Sequence, residues 1–154
     1  MKIDVKQIKQ LRDETQASIA DCRVVLEEAK GNYEKAVELL KKKGIERAEK
    51  KATRETAQGL IESYIHQNGK VGVLVKVLCE TDFVARTDDF KHLLHEIAMQ
   101  VAAMNPKNVD VLLKQEYIRD GSVTIGDLIK QTIGKLGENI RVEAFTRYEL
   151  GTNS

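Results

Sequence analysis

The sequence predicts an α+β fold: a small helical module at the amino end, a connector helix, and a larger domain in which an antiparallel sheet of about three strands is covered by helices. Three observations carry that prediction. Up to about residue 45, apolar residues recur at spacings of three and four, with no strand period. Valine then stands at every second position in Val71, Val73, Val75 and Val77, the period of a strand with one buried face. Beyond these valines, a long helical stripe is followed by a closing alternation, Ile140, Val142 and Ala144.

Residues 1–45 read as three short helices. Val5, Ile8 and Leu11 stripe the first. Ile19, Cys22, Leu26 and Ala29 stripe the second, with Ser18 as N-cap and Gly31 as its stop. Asn32 caps the third, striped by Tyr33, Ala36, Val37 and Leu40 and stopped by Gly44. Such a module has a thin core, since even about sixty residues are marginal for independent stability. It is therefore expected to be tethered to something larger. Residues 46–58 read as the connector helix, within a basic stretch carrying Lys41, Lys42, Lys43, Arg47, Lys50, Lys51 and Arg54 against Glu46 and Glu49.

Residues 59–154 make the α+β core domain. Gly59 to His66 reads as a strand, Asn68-Gly69 as a type I′ hairpin turn with φ > 0 at both central residues, and Val71 to Glu80 as the returning strand. A helix from Asp88 to Met104 follows, capped by Thr87, striped by Phe90, Leu93, Leu94, Ile97 and Val101, and ended by Asn105-Pro106. Residues 107–123 are ambiguous apart from a turn at Asp120-Gly121. Thr124 with Asp127 reads as the start of a helix striped by Ile125, Leu128, Ile129, Ile133 and Leu136. The closing strand ends near Leu150.

Composition narrows the function classes. The chain has 154 residues, 42% hydrophobic and 32% charged, with a formal net charge of +1. Near-neutrality argues against a protein built chiefly to hold a polyanion, whose affinity rests on many neutralised phosphates. No segment approaches the roughly 20 apolar residues of a membrane span, and Met1-Lys2-Ile3-Asp4 lacks an apolar signal-peptide core. The two cysteines, Cys22 and Cys79, form no CxxC pair, so a reducing, cytoplasmic setting is expected.

Constellations for catalysis are sparse. His92 and His95 stand three apart on one helix, but spacing places no third or fourth metal ligand. Cys79 continues the valine face and reads as a small buried hydrophobe rather than a nucleophile. There is no glycine-rich phosphate loop. Glu80 and Asp82 are a weak acid–base signal, with Asp82 the better turn residue. No cofactor and no enzymatic reaction are expected. The basic stretch raises an alternative, a ribosome- or RNA-binding adaptor using the connector helix. No aromatics are interleaved with its lysines to stack on bases.

The most informative residues are Cys79-Glu80-Thr81-Asp82-Phe83-Val84-Ala85-Arg86. The strand pattern stops at Thr81-Asp82 and a helical one begins near Thr87, so Phe83 falls at the corner. Composition and spacing leave two readings open there. Phe83 caps the sheet's core, or it anchors an interface, as a rigidly held aromatic does.

The same residues resemble the signature of the elongation factor Ts family, guanine-nucleotide exchange factors of bacterial-type elongation factor Tu. The segment from Leu11 to Gly44 is similar to the family's N-terminal domain, a three-helix, ubiquitin-associated-like module. Lys50 to Gly59 resembles its connector, and Ile133 to Gly151 its closing helix and strand. Two departures stand out. Where the family has T-G-A-G-M-M-D-C, this chain has Thr15-Gln16-Ala17-Ser18-Ile19-Ala20-Asp21-Cys22, replacing two glycines and two methionines; an apolar contact through Ile19 survives. The stretch from Pro106 to Lys114-Gln115-Glu116-Tyr117-Ile118-Arg119-Asp120 is also short, implying a reduced core with fewer contacts to the partner's distal domain.

The resemblance implies a translation factor that binds elongation factor Tu, both GDP-bound and nucleotide-free, without binding nucleotide itself. It implies that Thr81, Asp82, Phe83 and Val84 enter beside the nucleotide and Mg²⁺ site, Phe83 as a wedge and Asp82 with the nearby backbone disturbing the magnesium and phosphate region. It further implies a second contact through Arg12, Ile19 and Ala20.

Overall fold

A computed structural model describes residues 2–15 and 17–151; Met1, Gln16 of the altered turn segment and residues 152–154 lie outside the described residues. In chain order the elements are α1 (Val5–Thr15), α2 (Ile19–Glu28), α3 (Tyr33–Lys51), β1 (Gln58–Ile65), β2 (Val71–Cys79), α4 (Asp82–Ala85), α5 (Asp88–Met104), α6 (Val109–Lys114), β3 (Glu116–Tyr117), β4 (Asp120–Thr124), α7 (Ile125–Leu136) and β5 (Ile140–Glu149). The architecture is the expected α+β arrangement. Helices come first, then an antiparallel sheet in the order β1-β2-β5 packed with helices, with β3 and β4 forming a separate small ladder.

The valine alternation makes β2 the central strand. Val73, Val75, Val77 and Cys79 are buried and meet the stripe of α5, where Phe90, Leu93, Leu94, Ile97 and Val101 are buried as well. Each such side chain contributes about 1.5–3 kcal/mol. α5 has the expected bounds: Thr87 accepts from the Phe90 amide at 3.2 Å, and Asn105 ends the helix in the left-handed conformation at φ 47°. The guanidinium of Arg147 on β5 donates to the Ala102 carbonyl at 3.0 and 3.2 Å, satisfying one of the helix's last carbonyls. The other face of the sheet leaves Ile61, Ile65, Leu74 and Tyr148 exposed.

Several local expectations are corrected. The hairpin turn is not type I′, because Gly69 has φ 71° while Asn68 is not among the residues with positive φ. The loop instead spans residues 67–70. The Gly69 amide donates to the His66 carbonyl at 2.8 Å, and the Asn68 side chain accepts from the Lys70 amide at 2.9 Å. The extra loop length lets one glycine take the left-handed position alone. The turn expected at Asp120-Gly121 lies instead at Ile118-Arg119, and Asp120 opens β4. Ala144 is exposed rather than core-facing. The β2–β5 register shifts between Lys76 and Val77, whose partners are Ala144 and Val142, and the extra residue Glu143 reverses the alternation. Thr124 and Asp127 do start α7 as expected, and they do so as a reciprocal capping box.

The largest correction concerns the connector. Gly44 does not stop the third helix, and no separate helix spans 46–58: α3 runs unbroken to Lys51, and β1 begins at Gln58. The reason is tertiary. α3 packs on α7 with Gly44 against Gly134, so closely that a methyl group on Gly134 would lie 2.5 Å from the Gly44 Cα and 2.8 Å from its carbonyl oxygen. Packing between two helix backbones offsets the roughly 1 kcal/mol that a mid-helix glycine costs. α3 joins two apolar clusters. Its Ala36 lies with Leu11, Cys22, Val25, Leu26 and Ala29, and its Ala48 lies in the core of the sheet. Val5 and Ile19, expected in the first cluster, are 76% and 56% exposed.

The crossing gives an asymmetric prediction. A methyl group on Gly44 would make only ordinary contacts, at 3.8 Å and beyond. Gly44→Ala should therefore stabilise the chain by up to about 1 kcal/mol through helix propensity. Gly134→Ala should instead destabilise it by about 1–3 kcal/mol through overpacking. Urea unfolding of both variants checks the opposite signs.

Candidate functional site

The connection between β2 and α5 is built from two consecutive helix caps. Thr81 caps α4: its hydroxyl oxygen accepts from the Val84 amide at 3.2 Å, and the Ala85 amide donates to the Thr81 carbonyl at 3.2 Å. Thr87 then caps α5 while donating its hydroxyl to the Val84 carbonyl at 2.7 Å. Phe83 thus stands on a one-turn helix rather than on a bare corner, and Asp82 occupies the first turn of that helix instead of a loop. Asp82 pairs with Arg86 at 3.1 Å on the exposed side.

This geometry decides where Phe83 points. Val84 and Ala85 are buried, and the adjacent Phe83 is 76% exposed. The core-capping reading fails, because Val84 and Ala85 take the inward positions. A phenyl ring held outward on an ordered element forgoes about 1.5–3 kcal/mol of burial.

The catalytic alternatives do not assemble. Cys79 is fully buried with its thiol on the Thr81 carbonyl at 3.2 Å. Burial, helped by the nearby Glu138 carboxylate, pushes its pKa up, the reverse of an activated thiol. Glu80 turns to Arg54 at 3.1 Å and to the Asn139 amide at 3.0 Å, while Asp82 turns to Arg86, so the two carboxylates do not share a site. His92 and His95 are exposed, and His95 lies edge-on to Tyr64 with ring centroids 5.8 Å apart. Among the described residues no group of three or more His, Cys, Asp or Glu side chains is placed to hold a metal ion. No described helix is long and apolar enough to cross a membrane.

The structure ties this connection to residues that local patterns did not single out. Both carboxylate oxygens of Glu138 hold Thr81, one accepting from its amide at 2.9 Å and the other from its hydroxyl at 2.6 Å. The neighbouring Asn139 is buried and donates its side-chain amide to the Arg54 carbonyl at 2.8 Å. The Gly137-Glu138-Asn139 turn after α7 was the available signal, but no local period connects it to a threonine 57 residues away.

A second exposed group lies on the first helices. Arg12, Ile19 and Ala20 are all exposed. Ser18 caps α2 by accepting from the Asp21 amide at 3.1 Å. Asp21 binds Arg47 through two bonds of 2.8 and 2.9 Å, which hold α2 on α3. Two bases of the basic stretch are paired, Arg47 with Asp21 and Arg54 with Glu80, while its acid Glu49 is taken up by Lys130 on α7 at 3.6 Å. An open cleft of about 500 Å³ lies along α3, between the α1–α2 junction and α7, lined by Ser18, Asp21, Arg47, Gln131 and Lys135 among others.

Comparison with known proteins gives one consistent family. The profile of the family described as Elongation factor TS matches residues 80–154. Proteins named elongation factor Ts are similar over nearly the whole chain. The one from Coprothermobacter proteolyticus is 46% identical, covering 98% of this chain and 100% of its own. That from Fervidobacterium nodosum is 42% identical with the same coverage, and that from Thermotoga maritima is 44% identical, covering 98% of each chain. The aligned span with the first two is 196 positions against 154 residues here, so those relatives carry residues with no counterpart in this chain.

The Asp21–Arg47 pair carries a pH signature. Hydrogen bonding to Arg47 holds the Asp21 carboxyl below the ordinary 3.8. A depressed carboxyl contributes stability above its unfolded value and loses it as pH falls through the folded one. Relative to Asp21→Asn, the parent chain should lose less than about 1 kcal/mol as pH drops below about 4, given the half-exposed arginine. Urea midpoints at pH 6 and pH 3 check the difference.

Proposed function

The chain belongs to the elongation factor Ts family, and on that premise we propose that it drives GDP from elongation factor Tu by inserting Phe83. At the family level these are translation elongation factors that exchange nucleotide on elongation factor Tu, and no covalent chemistry is involved. The partner is elongation factor Tu in its GDP-bound and nucleotide-free states, in the cytoplasm. Residues 1–45 serve as one foothold and residues 59–154 as the other.

The observation that carries this reading is the exposure of Phe83 on a helix turn whose next two residues are buried. In the complex the Thr81–Val84 segment lies beside the nucleotide and Mg²⁺ site. Phe83 fills an apolar slot of the G domain, and Asp82 with its neighbouring backbone perturbs the magnesium and phosphate region. The effect is a coupling: a factor that favours a conformation with poor GDP contacts weakens GDP by some ratio, and GDP weakens the factor by the same ratio. Burying one phenyl ring, worth about 1.5–3 kcal/mol, equals roughly ten- to hundredfold in affinity. Phe83 therefore supplies part of the coupling, and the rest falls to Asp82, the backbone and the second foothold. Arg12, Ile19 and Ala20 form that foothold, which raises the local concentration of the wedge.

Release of a fluorescent GDP from elongation factor Tu tests the reading. Phe83→Ala should slow factor-stimulated release about tenfold or more, with circular dichroism and melting temperature nearly unchanged. If the variant unfolds and release tracks the folded fraction, the wedge is wrong. Ile19→Ala should raise the factor concentration needed for half-maximal release by roughly three- to tenfold. It should leave the maximal rate in place, as expected of a contact remote from the nucleotide.

A further inference from the structure

We infer that Glu138 is a positioning residue for Phe83: it holds the cap of α4, and with it the direction in which the ring leaves the surface. The inference rests on the proposed wedge and adds a residue from a different part of the chain to it.

α4 is a single turn, too short to persist without outside support. Its carboxyl half has that support in the buried side chains of Val84 and Ala85. Its amino half, which carries Asp82 and Phe83, is exposed and hangs from Thr81. Thr81 is fixed from outside the helix. One Glu138 oxygen accepts a hydrogen bond from its amide and the other accepts one from its hydroxyl, at 2.9 and 2.6 Å. Because the hydroxyl donates to Glu138, its oxygen lone pairs are left to accept from the Val84 amide at 3.2 Å, the bond that closes the turn. Glu138 thereby selects the rotamer in which Thr81 caps.

Glu138 is itself held. Gly137 ends α7 at φ 78°, a conformation that other residues adopt only under strain, and this turns the chain toward the sheet. Neighbouring Asn139 is pinned in the opposite sense, its amide donating to Glu80 at 3.0 Å. The two segments therefore exchange bonds reciprocally: 138 holds 81, and 80 holds 139. Such a clamp fixes position as well as proximity, and it orders the wedge before the partner arrives, which lowers the entropy lost on binding.

The test uses the full chain and fluorescent-GDP release from elongation factor Tu. Glu138→Ala should slow stimulated release roughly three- to tenfold, the scale of a partly exposed charge-assisted pair. Glu138→Gln, which keeps an acceptor for the amide but offers an NH2 group where the hydroxyl needs an acceptor, should restore only part of the rate. Combined with Phe83→Ala, Glu138→Ala should add almost nothing, because it acts through the ring. Thr81→Val probes the same contact from the other end and should behave like Glu138→Ala if that variant proves unstable. Equal slowing by Glu138→Ala with and without Phe83, or no slowing at all while Phe83→Ala is impaired, overturns the positioning role and leaves the wedge standing. Full activity of Phe83→Ala overturns the wedge itself, and the positioning role with it.

Discussion

Cys79 and Phe90 have no exposed surface, and between them lies the stretch that carries Phe83. Both belong to the apolar layer between the inner face of the sheet and α5, so the ends of the connection cannot move without opening the core. The chain has few residues with which to cross from one anchor to the other. It uses them for two caps in succession, Thr81 and Thr87, each satisfying amides that a sharper corner would leave unpaired. A large ring is exposed here because the adjacent inward positions are filled by Val84 and Ala85. Rigidity and exposure have the same cause.

That layer also organises the rest of the molecule. α7 contributes Ile125, Ile129 and Ile133 to it and offers its other side to α3, so the amino-terminal helices sit on the core through one helix pair rather than through a loop. Polar contacts then secure the seams. Arg147 covers the end of α5, and Gln100, fully buried, accepts from the Ile118 amide at 3.0 Å and donates to the Glu116 carbonyl at 3.0 Å. Buried Glu96 receives the Tyr117 hydroxyl and pairs with Arg119 at 2.6 Å. Burial together with that carboxylate pushes the Tyr117 phenol up to about 12.

What could be read from the sequence was what local rules govern. α5 was legible to its end residues because its cap, its stripe and its stop all lie within it. The valines of β2 and the Thr124–Asp127 box were legible for the same reason. What escaped depends on neighbours distant in the chain. Gly44 looks like a helix stop until Gly134 lies against it, and Ala144 looks core-facing until the bulge at Glu143 turns it over. Asn68-Gly69 marked the hairpin but not its loop length. At the candidate site, the residue pattern singles out Phe83 without deciding which way it points, and Ile19 falls at the spacing of a core stripe although it is exposed. The turn that carries Glu138 is visible in the sequence, but nothing local ties it to Thr81.

The unbroken α3 has a consequence for how this chain could tolerate change. A flexible linker absorbs an added or deleted residue as slack. A helix cannot, because each residue advances it about 1.5 Å and turns it about 100°. Between Ala36, which packs with the first helices, and Gly44, which is locked on α7, one inserted residue would swing Arg12, Ile19 and Ala20 more than a quarter turn around the axis. Length along this stretch is therefore a matter of phase. Only changes near a whole number of turns would return that surface to the side it now faces.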